Sequence, residues 1–160
     1  MSWLPQPVQE LLERALVCEF TVVSPRGRPV THPMLPLWDG ERIYMTSSVL
    51  FSRKLEHIKQ HPQVALSISD PVAAGGLTAR CSIQGDARVI EDDPHVTWER
   101  IIPLWIAKEP AVEAFLNARY ALPLFFERSL IEITPRRVAW WPDGDATREP
   151  SVLRVEEVAA

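Results

Sequence analysis

Three segments between residues 43 and 66 decide how this chain reads: Ile43-Tyr44-Met45-Thr46-Ser47, then Ser52-Arg53-Lys54, then His61-Pro62-Gln63-Val64-Ala65-Leu66. Residues 42–46 alternate as a strand, with Tyr44 and Thr46 on one face and Ile43 and Met45 on the other. Residues 49–61 read as a helix that turns Leu55 and Ile58 inward, takes its N-cap from Ser47 or Ser48, and stops at Pro62. Residues 63–69 alternate again, with Val64, Leu66 and Ile68 on one side. A strand that runs into hydroxyls, a helix start and two adjacent cations suits a phosphate. Helix N-terminal amides point at the anion, and Arg adds a planar fork of donors. No glycine-rich loop precedes the helix, so neither a dinucleotide fingerprint nor a P-loop is present. An Arg-Lys pair is by itself an ordinary solvated face; the pattern around it carries the reading.

Working outward, residues 7–16 form an amphipathic helix with Val8, Leu11, Leu12 and Ala15 on one side. Residues 17–24 are a β-branched, aromatic strand. Pro25-Arg26-Gly27-Arg28-Pro29 is a turn, and residues 30–38 return as a strand. Pro33 and Pro36 remove ladder donors there, so the strand belongs at an edge or carries a bulge. Trp38-Asp39-Gly40-Glu41 is a hairpin turn leading into the decisive stretch. Beyond it, residues 71–77 are a loop with Gly75-Gly76. Residues 78–85 and 86–90 are one long strand or two pieces about a bulge at Gly85. Residues 94–106 and 110–119 are helices. Residues 130–134 and 138–141 form a closing hairpin across Pro135-Arg136-Arg137. Trp98, Trp105, Phe115, Phe125 and Phe126 read as helical core or dimer contacts. The expected fold is mainly β (α+β): a six-stranded antiparallel split barrel with flanking helices, one domain over residues 1–160, with a loose polar tail over 144–160.

Composition narrows the function classes. The chain has 160 residues, enough for a substantial core, and a formal net charge of -4. No broad basic footprint for nucleic acid is present. Basic residues cluster only at Arg26/Arg28, Arg53/Lys54 and Arg136/Arg137, which suits a small anion. The longest apolar stretch, residues 101–107, contains Pro103 and is too short to span a bilayer. The N-terminus lacks the basic and apolar regions of a secretory signal, so a cytoplasmic protein is expected. Cys18 and Cys81 lie in apolar strand contexts and read as buried free thiols, with a single disulfide as the alternative.

This order of elements resembles the pyridoxamine-phosphate-oxidase-like, flavin-binding split barrels. The three segments above carry most of the likeness. Ile83-Gln84-Gly85-Asp86-Ala87-Arg88-Val89 and Pro135-x-x-Val138-x-x-Trp141 carry the rest, over residues 8–144 in all. The resemblance implies a homodimer with FMN at the subunit interface. Its phosphate would lie on Ser52, Arg53 and Lys54, with Met45, Thr46 and Ser47 near the ribityl chain or ring. The strand containing His32 and Leu35 would line the isoalloxazine, and Trp140 or Trp141 would reach the neighbouring subunit's flavin. Two departures stand out. His32-Pro33-Met34-Leu35-Pro36-Leu37 lacks the two cations of the Arg-x-x-Leu-Leu-Lys run, and no Arg-Leu-His-type motif follows Trp141. The substrate-phosphate site of vitamin B6 chemistry is therefore not expected, and the chain is not read as a true pyridoxamine-phosphate oxidase.

A flavin carries its own redox chemistry, which agrees with the lack of a nucleophile elbow or a placeable carboxylate pair. An FMN-dependent oxidoreductase of a small-molecule substrate is the leading expectation. One alternative is a reductase using the 8-hydroxy-5-deazaflavin coenzyme, whose anionic tail would engage Arg26, Arg28 or Arg80. Another is a non-catalytic flavin- or haem-binding protein, with His32 the axial candidate. His57 and His61 are spaced i, i+4 but find no third ligand, so no metal site is expected.

Overall fold

The computed structural model describes residues 3–48, 52–116 and 128–155. Helix α1 (Gln6–Arg14) buries Val8, Leu11 and Leu12 and leads into strand β1 (Cys18–Val23). Strands β2 (Pro29–Met34), β3 (Leu37–Trp38) and β4 (Ile43–Ser48) follow. Helix α2 (Arg53–Gln60) joins β4 to β5 (Gln63–Ile68), and β6 (Arg80–Ile90) comes next. Helices α3 (Pro94–Lys108) and α4 (Val112–Leu116) precede β7 (Arg128–Trp141) and β8 (Ser151–Arg154). The strands form one antiparallel sheet in the order β2-β1-β5-β6-β7-β4-β3, with β8 also on β7.

The two ends of that order, β2 and β3, are a single run of chain. It pairs with β1 as far as Met34, passes through Leu35 and Pro36, and pairs with β4 from Leu37. This forces the sheet to curl and leaves a split where the run changes partner. Ser24 donates its N–H to the Arg28 carbonyl at 2.8 Å, which phases the β1–β2 ladder. Pro29 and Pro33 then fall where an amide would face away from β1, the positions a proline tolerates. The outer edge of β2 thus borders the split. So does β4 beyond Tyr44, because β3 is only two residues long.

Inside the curl lies the main core, including Phe20, Val22, Met45, Leu66, Ile83, Ile131 and Val138, closed by α1 and by Leu55 and Ile58 of α2. A second, smaller core sits on the opposite face of β4 and β7. There Tyr44 and Leu130 meet Trp98 and Ile101 of α3.

Several expectations are corrected. Among the described residues the sheet has eight strands, because the expected strand over 30–38 divides at Pro36 and a further strand forms near the C-terminus. The expected hairpin across Pro135-Arg136-Arg137 is instead the middle of the continuous fourteen-residue β7. Gln84 pairs with Arg137 and Gly85 with Pro135, so Arg136 is the extra residue of a bulge and not a turn. Its side chain reaches Asp86 at 2.8 Å. The tail is not loose through residue 154, since β8 pairs with Arg137–Trp140 and Leu153 packs on the main core. Gly144 permits this return: it has φ +75, and a Cβ there would lie 2.1 Å from the Thr78 carbonyl oxygen. The helix expected over 49–61 spans Arg53–Gln60 with Ser52 as N-cap; residues 49–51 lie outside the described residues. Phe125, Phe126 and the end of the helix expected to reach 119 also lie outside them. Cys18 and Cys81 are buried free thiols, on strands that flank β5 on either side.

Gly85 is where the two longest strands approach most closely. A Cβ on it would lie 2.4 Å from the Thr134 carbonyl oxygen, which is backbone and cannot swing aside. Gly85→Ala is expected to destabilise the fold by about 1–3 kcal/mol, the usual cost of overpacking. An unchanged urea midpoint for this variant would contradict the bulge geometry.

Candidate functional site

At the end of β4 the side chains of Ile43, Met45 and Ser47 point into the curl, and Ser47 is buried. Its hydroxyl lies 2.7 Å from that of Ser52 and accepts the Lys54 ammonium at 3.2 Å. Ser52 therefore spends its side chain on Ser47 and makes no capping bond to α2. Ser129, directly across from Ser47 on β7, is also buried, and its hydroxyl has no hydrogen-bond partner among the described residues. Arg53 is exposed at the first position of α2. Three hydroxyls, an ammonium and the first-turn amides of an eight-residue helix thus meet at one end of the split, with Arg53 on the exposed side of that first turn.

His32, half-buried on β2, faces the same region. Burial holds its pKa below the ordinary 6.5, and Lys54 and then His57 depress it further. Its Nε2 and the Nδ1 of His57 are both enclosed with no hydrogen-bond partner among the described residues. The groups perturbing His32 are basic, and no carboxylate is among them. This corner has donors and positive charge to offer an anion.

The other expected site residues are distributed differently. Thr46 points to the face opposite Ser47, so their side chains cannot serve one ligand from the same side. Met45 is fully buried in the main core and has only its backbone to offer. Leu35 sits at the partner switch, packed on the second core. Trp141 pairs with Arg80 and gives its indole N–H to the Arg148 carbonyl at 2.8 Å. It is twelve residues along β7 from Ser129, about 40 Å of strand contour, and so belongs to the far end of this chain's sheet. Arg26 and Arg28 are exposed on the β1–β2 turn; the Nε of Arg80 is enclosed without a partner among the described residues. His61 caps α2, giving its N–H to the His57 carbonyl at 2.8 Å.

Sequence reasoning missed two linked clusters behind the split. Glu132, nearly buried on β7, takes Arg42 at 3.2 Å and Arg88 at 3.0 Å. Beside it, Arg100 of α3 donates to the Tyr44 hydroxyl at 2.8 Å, stacks on its ring at 5.3 Å and reaches Asp39 at 3.4 Å. Burial and then Asp39 push the Tyr44 phenol up to about 12. Burial would raise Asp39, but the N–H groups of Arg42 and Glu41, then Tyr44 and Arg100, hold it below the usual range. These groups fasten α3 to the sheet. The signal was a carboxylate alternating with apolar neighbours in Leu130-Ile131-Glu132-Ile133.

No activated nucleophile appears among the described residues. Burial drives both thiols to about 12. No group of three His, Cys, Asp or Glu side chains among them could hold a metal ion, and no helix among them is long and apolar enough to cross a membrane.

Comparison with known proteins adds the following. The family described as Pyridoxamine 5'-phosphate oxidase matches residues 4–142. No curated protein matches the chain at a significant level. Among solved structures, an F420 reductase is 23% identical with a TM-score of 0.63, covering 87% of this chain and 99% of that one. A Clostridium acetobutylicum protein related to general stress protein 26 is 15% identical with a TM-score of 0.64, covering 94% of each chain. A haem-binding protein from Mycobacterium smegmatis is 16% identical with a TM-score of 0.62, covering 96% of this chain and 60% of that one. At these identities the structural likeness speaks for the fold alone.

The basic corner sets a pH dependence. A histidine with a depressed folded pKa binds fewer protons folded than unfolded, so its contribution to stability is present above the ordinary 6.5 and is lost as pH falls below it. The urea midpoint is expected to drop between pH 7.5 and 5.5, and His32→Gln should flatten that drop. Equal slopes in the two proteins would show that His32 is not under this stress.

Proposed function

The chain belongs to the pyridoxamine 5'-phosphate oxidase family, and from that premise we propose that it is a cytoplasmic, homodimeric FMN-dependent oxidoreductase acting on a small molecule. The observation that carries the reading is the convergence of Ser47, Ser52 and Lys54, with Arg53 beside them, at the start of α2. The residues fit a terminal phosphate: they are donors and cations around helix amides, and His32 senses positive charge without a compensating carboxylate.

Lys54 and Arg53 would hold the phosphate, with Ser52 and Ser47 donating hydroxyls. Thr46 and the edge of β4 beyond Tyr44 would line one side of the split, and His32 to Leu35 the other. The flavin, when bound, supplies the hydride- or electron-accepting centre. The chain's own work is to fix that ring between two strand edges and leave a face for substrate. His32, whose pKa burial and then Lys54 and His57 hold below the ordinary 6.5, would bring an imidazole to the edge of the split.

Two features favour a dimer. Trp141, expected near a flavin, lies at the far end of its own sheet, so only a second subunit would bring it to the site. The outer face of β1, β5 and β6 is not covered by any helix among the described residues and is mostly polar. It holds a depression of about 390 Å³ lined by Thr21, Val23, Gln63, Ala65 and Gln84, among others.

A deazaflavin coenzyme is the second reading. Its longer anionic tail would call on Arg26 and Arg28, exposed on the β1–β2 turn, or on Arg80, which lies beside Trp141 at the far end of the sheet and would reach the site from a second subunit. A haem reading fares worse, because the Nε2 of His32 is enclosed and would need its surroundings to open before binding iron.

Charge-assisted bonds contribute about 1.5–3 kcal/mol each, so losing one costs roughly ten- to a hundred-fold in affinity. Arg53→Ala combined with Lys54→Ala is expected to give a folded protein almost free of flavin, read from the absorbance ratio at flavin and protein wavelengths. Full flavin occupancy in that double variant would overturn the phosphate assignment.

A further inference from the structure

Away from the split, α3 places Leu104, Ala107 and Lys108 on one face, and that face looks onto α1 and β3. Between them is a cavity of about 200 Å³ lined by Leu12, Glu13, Leu37, Trp38, Leu104, Ala107 and Lys108. The lysine is largely withdrawn from water. Its ammonium donates to the Leu12 carbonyl in the last turn of α1 and to the Pro36 carbonyl at the partner switch. An ammonium has three N–H groups, and among the described residues these two carbonyls are its hydrogen-bond partners.

Trp38 closes the inner wall. It is 7% exposed, and its indole N–H is buried with no acceptor among the described residues. The remaining walls are aliphatic, apart from Glu13, an exposed residue on the last turn of α1. A buried cation facing neutral carbonyls is under-compensated. Burial pushes the Lys108 amine down to about 8. The nearby Cys18 thiol and Glu13 carboxylate only partly restore it, and the thiol, itself raised to about 12, is neutral at physiological pH. What this cavity lacks is an acceptor carrying one negative charge and an apolar body.

We propose that the cavity binds a short-chain monocarboxylate. Its carboxylate takes the remaining N–H of Lys108, and its alkyl chain lies against Leu12, Leu37 and Leu104. A space of about 200 Å³ suits an acid of a few carbons. Glu13 is the competing anion at the rim. The site is separate from the split and does not rest on the flavin reading. Its lysine also holds the Pro36 carbonyl, so occupancy bears on the switch between β2 and β3.

The test is a butyrate titration followed by protein NMR on the full chain. Wild type is expected to bind saturably, and more weakly as pH rises above about 8, where the amine loses its proton. Lys108→Met should weaken binding at least ten-fold, and Glu13→Gln should tighten it. Ala107→Leu keeps the ammonium but fills the space, so it should abolish binding; it decides the matter if Lys108→Met does not fold. No saturable binding by wild type, or binding indifferent to Ala107→Leu, would overturn the proposal.

Discussion

One run of ten residues, from Pro29 to Trp38, has to pair with two different strands, and the rest of the molecule follows from that. The run leaves β1 after Met34 and joins β4 at Leu37. A chain that closes its own sheet in this way draws the strands into a curl with one seam. Pro33 and Pro36 keep the seam from zipping, because neither offers an N–H to a ladder. Pro36 is itself buried, and its carbonyl is taken by Lys108 from α3. The switch is therefore held from outside the sheet by an ammonium in a dry environment.

The seam gives the candidate site its walls, and the β4–α2 junction gives it its charge. The hydroxyl of Ser47 links β4 to α2 through Ser52 and Lys54, so sheet register and helix start are fixed together. The same residues that close this end of the core also concentrate donors there. Burial, and then Lys54 and His57, depress the pKa of His32, and the Ser129 hydroxyl, without a partner among the described residues, lies one strand away. An anion at this corner would meet the Ser47 hydroxyl and the Lys54 ammonium. The Glu132 and Tyr44 clusters on the other face behave differently. There, arginines and carboxylates satisfy one another and hold α3 in place.

Much of this was legible in the sequence, because local chemistry dictated it. Gly27 and Gly40 take positive φ in the expected turns, and Pro62 follows the last residues of α2. Alternation in residues 63–69 identified β5 and its buried face. Pro135 misled the reading because a proline in a strand resembles a turn until its partner is known. The partner is Gly85, and the two together make a bulge. The C-terminal strand was illegible for a similar reason. Ser151–Arg154 has little burial pattern of its own and is ordered by the free edge of β7, by Gly144 and by the Arg148 contacts. In the site, the Ser-Arg-Lys triplet could be read from residue type. The opposite facing of Thr46 and Ser47 follows from strand period alone, yet the stretch was read as one ligand-facing patch. Lys108 gave no signal, since a lysine near a helix end is ordinarily solvated.

The most direct measurement of the central claim is the absorption spectrum of the purified protein, with mass analysis of whatever denaturation releases. The account predicts a phosphorylated flavin or deazaflavin at close to one per chain, or stoichiometric uptake when FMN is added to protein isolated empty. A bound haem, or no uptake of either cofactor by the folded protein, would contradict it.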